Sequence, residues 1–174
     1  MKQYQDLIKQ ILTDGYDTDD RTGTGTRAIF GTKIRFDLTR GFPAVTTKKL
    51  AWKACISELL WFLSGSTNVD DLRERTHGSR DEGKTIWDEN YETQARQLGY
   101  MDGALGPVYG KQWRDFGGID QLKLIINRIK QMPTDRRQIV SAWNPAEIDK
   151  MALPPCHCFY QFNVRNGYLD LQWY

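Results

Sequence analysis

The segment MALPPCHCFYQF, residues 151–162, sets Cys156 and Cys158 on either side of His157, directly after a double proline. Three chemistries are open to such a cluster: a nucleophilic thiolate, a pair of metal ligands, or two small apolar residues at a core edge. Strand alternation gives Cys158 the parity of Tyr160 and Phe162, so it points into the apolar face, where a thiol is an inert small hydrophobe. Cys156 lies where Pro154 and Pro155 hold the chain extended and the strand is only beginning. Its thiol can stand at the sheet's rim, a placement that permits reactivity without requiring it. Both sulfurs could chelate from one face, but His157 points to the opposite side and His77 is distant, which disfavours a four-ligand zinc site. An immediate neighbour on a strand also faces away, so His157 is a poor general base for a cysteine nucleophile.

Glu58 has Ala54, Cys55, Trp61 and Phe62 as its helical neighbours three and four residues away, a largely apolar setting suited to proton transfer. The plainer alternative is a rim carboxylate held by a salt bridge. RTGTGTRA formally contains G-x-G-x-x-A. A dinucleotide fingerprint must follow a strand and open a helix, whereas here a polar turn precedes and a β-like run follows. What remains is Arg21 beside a loop rich in backbone donors and hydroxyls, suitable for a phosphate. DRRQ places Arg136 and Arg137 at a helix-to-strand junction, either as a solvated charged loop or as a bidentate anion clamp. Three such arginines suit one phosphate monoester better than a nucleic-acid track. The glycine-rich stretch 103–118 carries Pro107, Tyr109 and Trp113, and TIWDEN carries Trp87. Such loops let backbone approach a flat ring, but they also serve as plain connections.

Hydrophobic periodicity sets the frame that holds these side chains. Tyr4, Leu7, Ile8, Ile11 and Leu12 form one helical face that should be core, with Gly15 at its C-terminal cap. TRAIFGTKIRFDL reads as a strand or hairpin interrupted at Gly31. Residues 48–64 form an apolar helix with a solvent stripe of Lys49, Lys53, Ser57 and Ser64. Residues 66–105 read as a charged surface excursion, residues 119–132 as a helix stopped by Pro133, and QIVSAW as a strand. In FYQFNVRNGYLDLQWY the Asn166-Gly167 pair predicts a type I′ hairpin. Its register puts Tyr160, Phe162 and Val164 with Leu169, Leu171 and Trp173 on one face.

The 174-residue chain is 40% apolar and 12% aromatic, which fits one globular domain over residues 1–174. With 24 basic and 22 acidic residues it has no polyanion-binding balance, so no nucleic-acid partner is implied. No apolar run is long enough for a membrane span, and the N-terminal stretch lacks a signal's apolar region. Three widely spaced cysteines argue for a reducing compartment and a cytoplasmic location.

Taken together, DDRTGTGT, GFPAVTTKKLAWKACISELLWFLSGSTN, TIWDEN, GPVYGKQWR, DRRQIVSAWNP and MALPPCHCFYQFNV resemble, in the family's order, the folate-dependent thymidylate synthases. The resemblance implies an α+β fold with helices packed on one side of a twisted, largely antiparallel or mixed sheet. It implies reductive methylation of deoxyuridylate (dUMP) to thymidylate, with 5,10-methylenetetrahydrofolate as co-substrate and no metal. Cys156 would add to C6 of the uracil and Glu58 would handle protons through ordered water. Arg21 would hold the nucleotide phosphate within its own subunit, and Arg136 and Arg137 would reach the partner's phosphate across a homodimer. Tyr109 and His157 would line the nucleotide pocket, and Trp87 and Lys48 would contact the folate's ring and tail. Asn90 stands where several members carry a second tryptophan. The sister deoxycytidylate hydroxymethylases share the cysteine, glutamate and arginine pattern, but the quoted motifs fit the synthases more closely.

The sequence ends at Tyr174, before the family's QRS triplet, after roughly three-fifths of a typical member's length. The resemblance places a further phosphate-binding arginine and the pyrimidine-contacting residues beyond that point. The isolated chain is therefore expected to be a catalytically incomplete fragment. With the hairpin's apolar face uncovered, it is also expected to be poorly folded or aggregation-prone.

Overall fold

A computed structural model describes residues 2–20 and 23–174, grouped into two compact units, 1–51 and 52–174. In the first unit, helix α1 (Lys2–Asp14) ends where the Gly15 N–H donates to the Ile11 carbonyl at 3.0 Å. Strands β1 (Tyr16–Thr18) and β2 (Thr26–Ala28) pair antiparallel, with Asp17 opposite Arg27 and Thr18 opposite Thr26. The polar turn is thus a hairpin loop. Only the first three residues of TRAIFGTKIRFDL are strand, because the chain turns at Gly31 with φ +82° and leaves Phe30 exposed. The apolar face of α1 is not the expected core: Leu12 is 64% exposed. Within its unit α1 packs on β2, and a pair of three-residue strands is too small to cover a helix face.

The second unit contains helices α2 (Trp52–Ser64), α3 (Val69–His77), α4 (Asp88–Asn90), α5 (Tyr109–Arg114) and α6 (Gln121–Gln131). α4 continues through a wider π-type turn, Tyr91–Ala95. Strands β3 (Ile139–Ser141), β4 (Phe159–Arg165) and β5 (Tyr168–Trp173) form an antiparallel sheet in that order. The class is α+β, built on two small sheets.

α2 packs against α3 and α5, and its inward face is set by its two largest rings. Trp61 and Phe62 are buried and meet Trp87 edge-on at 5.4 and 6.1 Å. Ser57, one turn before Trp61, is carried in with them and is buried, its hydroxyl 3.5 Å from the Arg75 carbonyl. Ser57 thus departs from the expected solvent stripe, whose other members Lys49, Lys53 and Ser64 are exposed. The opposite face, with Ile56, Leu59 and Leu60, is 43–45% exposed.

Residues 66–105 are core as well as surface, which corrects the reading of that segment as an excursion. Asn68 caps α3 by accepting from the Asp70 N–H at 2.8 Å, and its carbonyl accepts the Trp61 indole at 3.0 Å. The Leu105 N–H donates to the Thr67 carbonyl, and the Ala152 N–H donates to the Leu105 carbonyl, both at 3.0 Å. Val69, Leu72, Trp87, Ala95 and Leu105 are buried as a result. Their charged neighbours hid this pattern: Arg73 ion-pairs with Asp70 and Asp88, so its charge is satisfied inside the unit.

The hairpin has the expected register throughout, from Arg165 opposite Tyr168 to Tyr160 opposite Trp173. Asn166 and Gly167 both take positive φ, 49° and 76°, as a type I′ turn demands. Leu169, Leu171 and Trp173 on β5 are 44–56% exposed.

Candidate active site

Tyr109 organises the site. It opens α5, and α5 can approach the end of α2 because residue 110 is glycine: a Cβ there would stand 2.2 Å from the Ser66 carbonyl oxygen. The Tyr109 ring packs at 4.6 Å on Phe62, 6.2 Å on Trp87 and 5.9 Å on Trp113. Its buried hydroxyl accepts the His157 backbone N–H at 3.1 Å, so one phenol ties the aromatic cluster to the turn that carries Cys156. Burial pushes this phenol above its ordinary pKa; the His157 N–H opposes that shift, and the Cys156 and Cys158 thiols nearby add to it. Burial likewise raises the Tyr160 phenol, which stacks on Trp173 at 4.8 Å.

Cys156 is exposed and Cys158 half-buried, the order the prolines and strand parity predict. His157 departs from expectation. Its ring lies 5.4 Å from Trp173 and 6.1 Å from Tyr109, over the aromatic cluster instead of on the far side of the sheet. The Ala142 and Trp143 N–H groups both donate to the Cys158 carbonyl, at 2.8 and 3.2 Å. Two residues opposing one make a bulge, and it lies on the 142–143 side. On its own side the chain bends at Cys156 and His157, before β4 begins at Phe159, so strand alternation does not extend to His157.

Glu58 is half-buried on α2, and its Oε1 accepts the Trp87 indole N–H at 2.6 Å. The charged-acceptor bond fixes one carboxylate oxygen and leaves Oε2 for other partners. Trp87 is held by its neighbour Asp88, whose carboxylate accepts the Thr85 N–H at 2.5 Å, the Thr85 hydroxyl at 2.7 Å and Arg73 Nε at 2.7 Å. Burial pushes the Asp88 carboxyl upward, but the bonds from Thr85 and Arg73 outweigh it and hold the group below its ordinary range.

The structure thus brings Glu58, Trp87, Tyr109, His157 and Cys156 to one aromatic cluster. It does not bring Arg136 and Arg137 there. The Phe162 N–H donates to the Gln138 carbonyl at 2.9 Å, and Gln161 Nε2 donates to the Arg136 carbonyl at 2.8 Å. Both arginines therefore stand beside residues 161–163, along the strand beyond the bend that carries Cys156. The Arg137 side chain is 87% exposed. Lys48 is exposed in the first unit, and Arg21 lies outside the described residues. The sequence reading missed Trp173 against His157, a contact that the Tyr160–Trp173 pairing and a bend before the strand together would have suggested. It also missed the Trp87–Glu58 bond, for which no local signal exists. Among the described residues no three His, Cys, Asp or Glu side chains converge to hold a metal.

An exposed cysteine on a turn anchored to an aromatic cluster, with a hydrogen-bonded carboxylate in that cluster, can attack a flat electron-poor ring covalently and manage a proton beside it. The model of the family "Thymidylate synthase" matches residues 2–174. Thymidylate synthase of Enterobacteria phage T4 is 76% identical over 174 residues, 100% of this chain and 61% of the relative. The probable thymidylate synthase of Escherichia phage T5 is 59% identical over 175 residues, 99% of this chain and 62% of the relative. The crystal structure of thymidylate synthase from T4 phage superposes with a TM-score of 0.95, covering 99% of this chain and 60% of that one. The chain belongs to the thymidylate synthase family, and it spans about three-fifths of the length of these relatives.

Proposed function

We propose that the protein carrying this chain converts dUMP to thymidylate, and that this chain provides the nucleophile and the proton-handling carboxylate. One observation carries the reading: the Cys156 turn, with its thiol exposed, is anchored by the Tyr109 hydroxyl to the cluster that holds Glu58. The folate co-substrate, when bound, supplies the one-carbon unit and the hydride. Cys156 Sγ adds to C6 of the pyrimidine and makes C5 nucleophilic, and the same sulfur leaves when the ring is restored. Glu58 Oε2 handles the proton traffic through ordered water while Oε1 stays bonded to Trp87. Tyr109 and His157 line the nucleotide pocket, Arg21 takes its phosphate, Lys48 meets the folate's tail, and Trp87 closes the floor beneath the folate's ring.

Arg136 and Arg137 serve the phosphate in the partner's site of a homodimer. Their distance along the sheet from Cys156 and the exposure of Arg137 support an action in trans. The single domain over 1–174 is part of this reading, supported by one family match running across both compact units. So is a cytoplasmic location: no helix among the described residues is long and apolar enough to cross a membrane.

The test is tritium release from dUMP labelled at C5, with methylenetetrahydrofolate present. The intact protein should release tritium and its Cys156→Ser variant should not. Equal release by both would overturn the assignment.

A further inference from the structure

The two cysteines flanking His157 differ in exposure, Cys156 exposed and Cys158 half-buried. In a fully extended strand, residues two apart have Cα atoms about 6.6–7 Å apart, at or beyond the usual reach of a disulfide. Here the chain bends at Cys156 and His157, which shortens that separation. Cys158 Sγ is turned back along the chain, 3.5 Å from the Pro155 carbonyl oxygen and 3.9 Å from that of Cys156. Between the two cysteines, the His157 backbone N–H donates to the Tyr109 hydroxyl at 3.1 Å, which holds the bend in place. An exposed thiol with a half-buried companion directed at its own residue is the arrangement of a peroxidatic and a resolving cysteine.

We propose that Cys156 is a reversible oxidation site and that Cys158 resolves it. A hydroperoxide transfers its distal oxygen to Cys156 Sγ; the O–O bond breaks, and the departing alkoxide takes the thiol's proton to leave as an alcohol. Cys158 Sγ then attacks the sulfenic sulfur. The S–S bond forms as the S–O bond breaks, and hydroxide leaves as water with the Cys158 proton. Two thiols and one peroxide become one disulfide, one alcohol and one water, and an external dithiol reverses the change. The disulfide shields the exposed sulfur from the irreversible sulfinic state. This inference needs only the placement of the two sulfurs. Its readout is mass, so its failure is separable from failure of the proposed methylation.

The test treats the protein in a Cys55→Ser background with hydrogen peroxide, since Cys55 is the other thiol of this 174-residue chain and is also exposed. The expected product is lighter by about 2 Da, carries a link between Cys156 and Cys158 within one peptide, and reverts with dithiothreitol. In Cys158→Ser and Cys158→Ala, a sulfenic-acid trap should label Cys156, and overoxidation to sulfinic acid should run at least tenfold faster. Equal overoxidation with and without Cys158, a Cys156 link between two chains, or an unreactive Cys156 would each overturn the proposal.

Discussion

Trp87 should act through Glu58, and a double-mutant cycle can measure it. Trp87→Phe keeps an aromatic ring but removes the N–H that donates to Glu58 Oε1 at 2.6 Å. Hydrogen bonds to charged groups contribute about 1.5–3 kcal/mol. If that free energy holds the carboxylate where the transition state needs it, kcat falls about 10- to 150-fold. Glu58→Gln keeps an amide oxygen that can accept the indole but removes the proton-handling group, which should cost about 10²- to 10⁴-fold. The discriminating variant is the double. With Gln at position 58 there is no carboxylate to orient, so Trp87→Phe should cost less than threefold there. The assay is tritium release at saturating folate. It must be run below each variant's melting transition, because truncating a ring that is only 3% exposed also costs packing energy. A Trp87→Phe penalty of the same size in both backgrounds would refute the coupling. So would a rise in KM for folate at unchanged kcat, which would leave Trp87 only its place beneath the folate's ring.

The trans arginines predict complementation. Arg136→Ala/Arg137→Ala chains and Cys156→Ser chains should each be nearly inactive, and mixing them after dissociation should restore about a quarter of wild-type activity, one good site in half of the dimers. No restoration would place the arginines in their own chain's site. Stability should fall above pH 10. The Tyr109 and Tyr160 phenols are both raised by burial, so their contribution is complete below the unfolded value near 10 and is lost as pH climbs through the folded values. The slope should be up to about 1.4 kcal/mol per pH unit for each phenol. Urea midpoints between pH 8 and 11.5 should decline less steeply in Tyr160→Phe, and an unchanged slope would contradict the burial argument. Gly110→Ala should lower the yield of folded protein sharply, since its Cβ would meet the Ser66 carbonyl at 2.2 Å. A melting temperature within a degree or two of wild type would show that the close approach of α5 to α2 is dispensable.

What was legible in the sequence is what neighbours along the chain decide. Asn166-Gly167 dictates positive φ at two successive residues, and from that turn every pairing to Tyr160 follows by counting. The double proline and strand parity put Cys156 outside and Cys158 further in. Apolar content marked α2, but the mean pattern could not choose its inward face. Trp61 and Phe62 chose it by packing on Trp87 and Tyr109, and Ser57 was drawn into the core with them. The charged run 66–105 misled for a related reason: ion pairs such as Arg73 with Asp88 neutralise charge inside the unit, and composition cannot register a pairing.

The catalytic arrangement fell between these cases. Each candidate residue was visible by type, yet the contacts that join them span separations at which sequence periodicity carries no information: Glu58 to Trp87 across 29 residues and Tyr109 to His157 across 48. Both contacts use groups that folding must otherwise leave unsatisfied, an indole N–H and a backbone N–H at a bend, and a buried donor without a partner costs about 1–3 kcal/mol. The bend at Cys156 and His157, before β4 begins, keeps the His157 N–H out of the ladder, and the Tyr109 hydroxyl takes it. The irregularity that made His157 point the wrong way for a sequence rule is therefore the same one that fastens the Cys156 turn to its aromatic floor. A variant restoring regular pairing there should detach the thiol from Tyr109 even if the sheet becomes more stable.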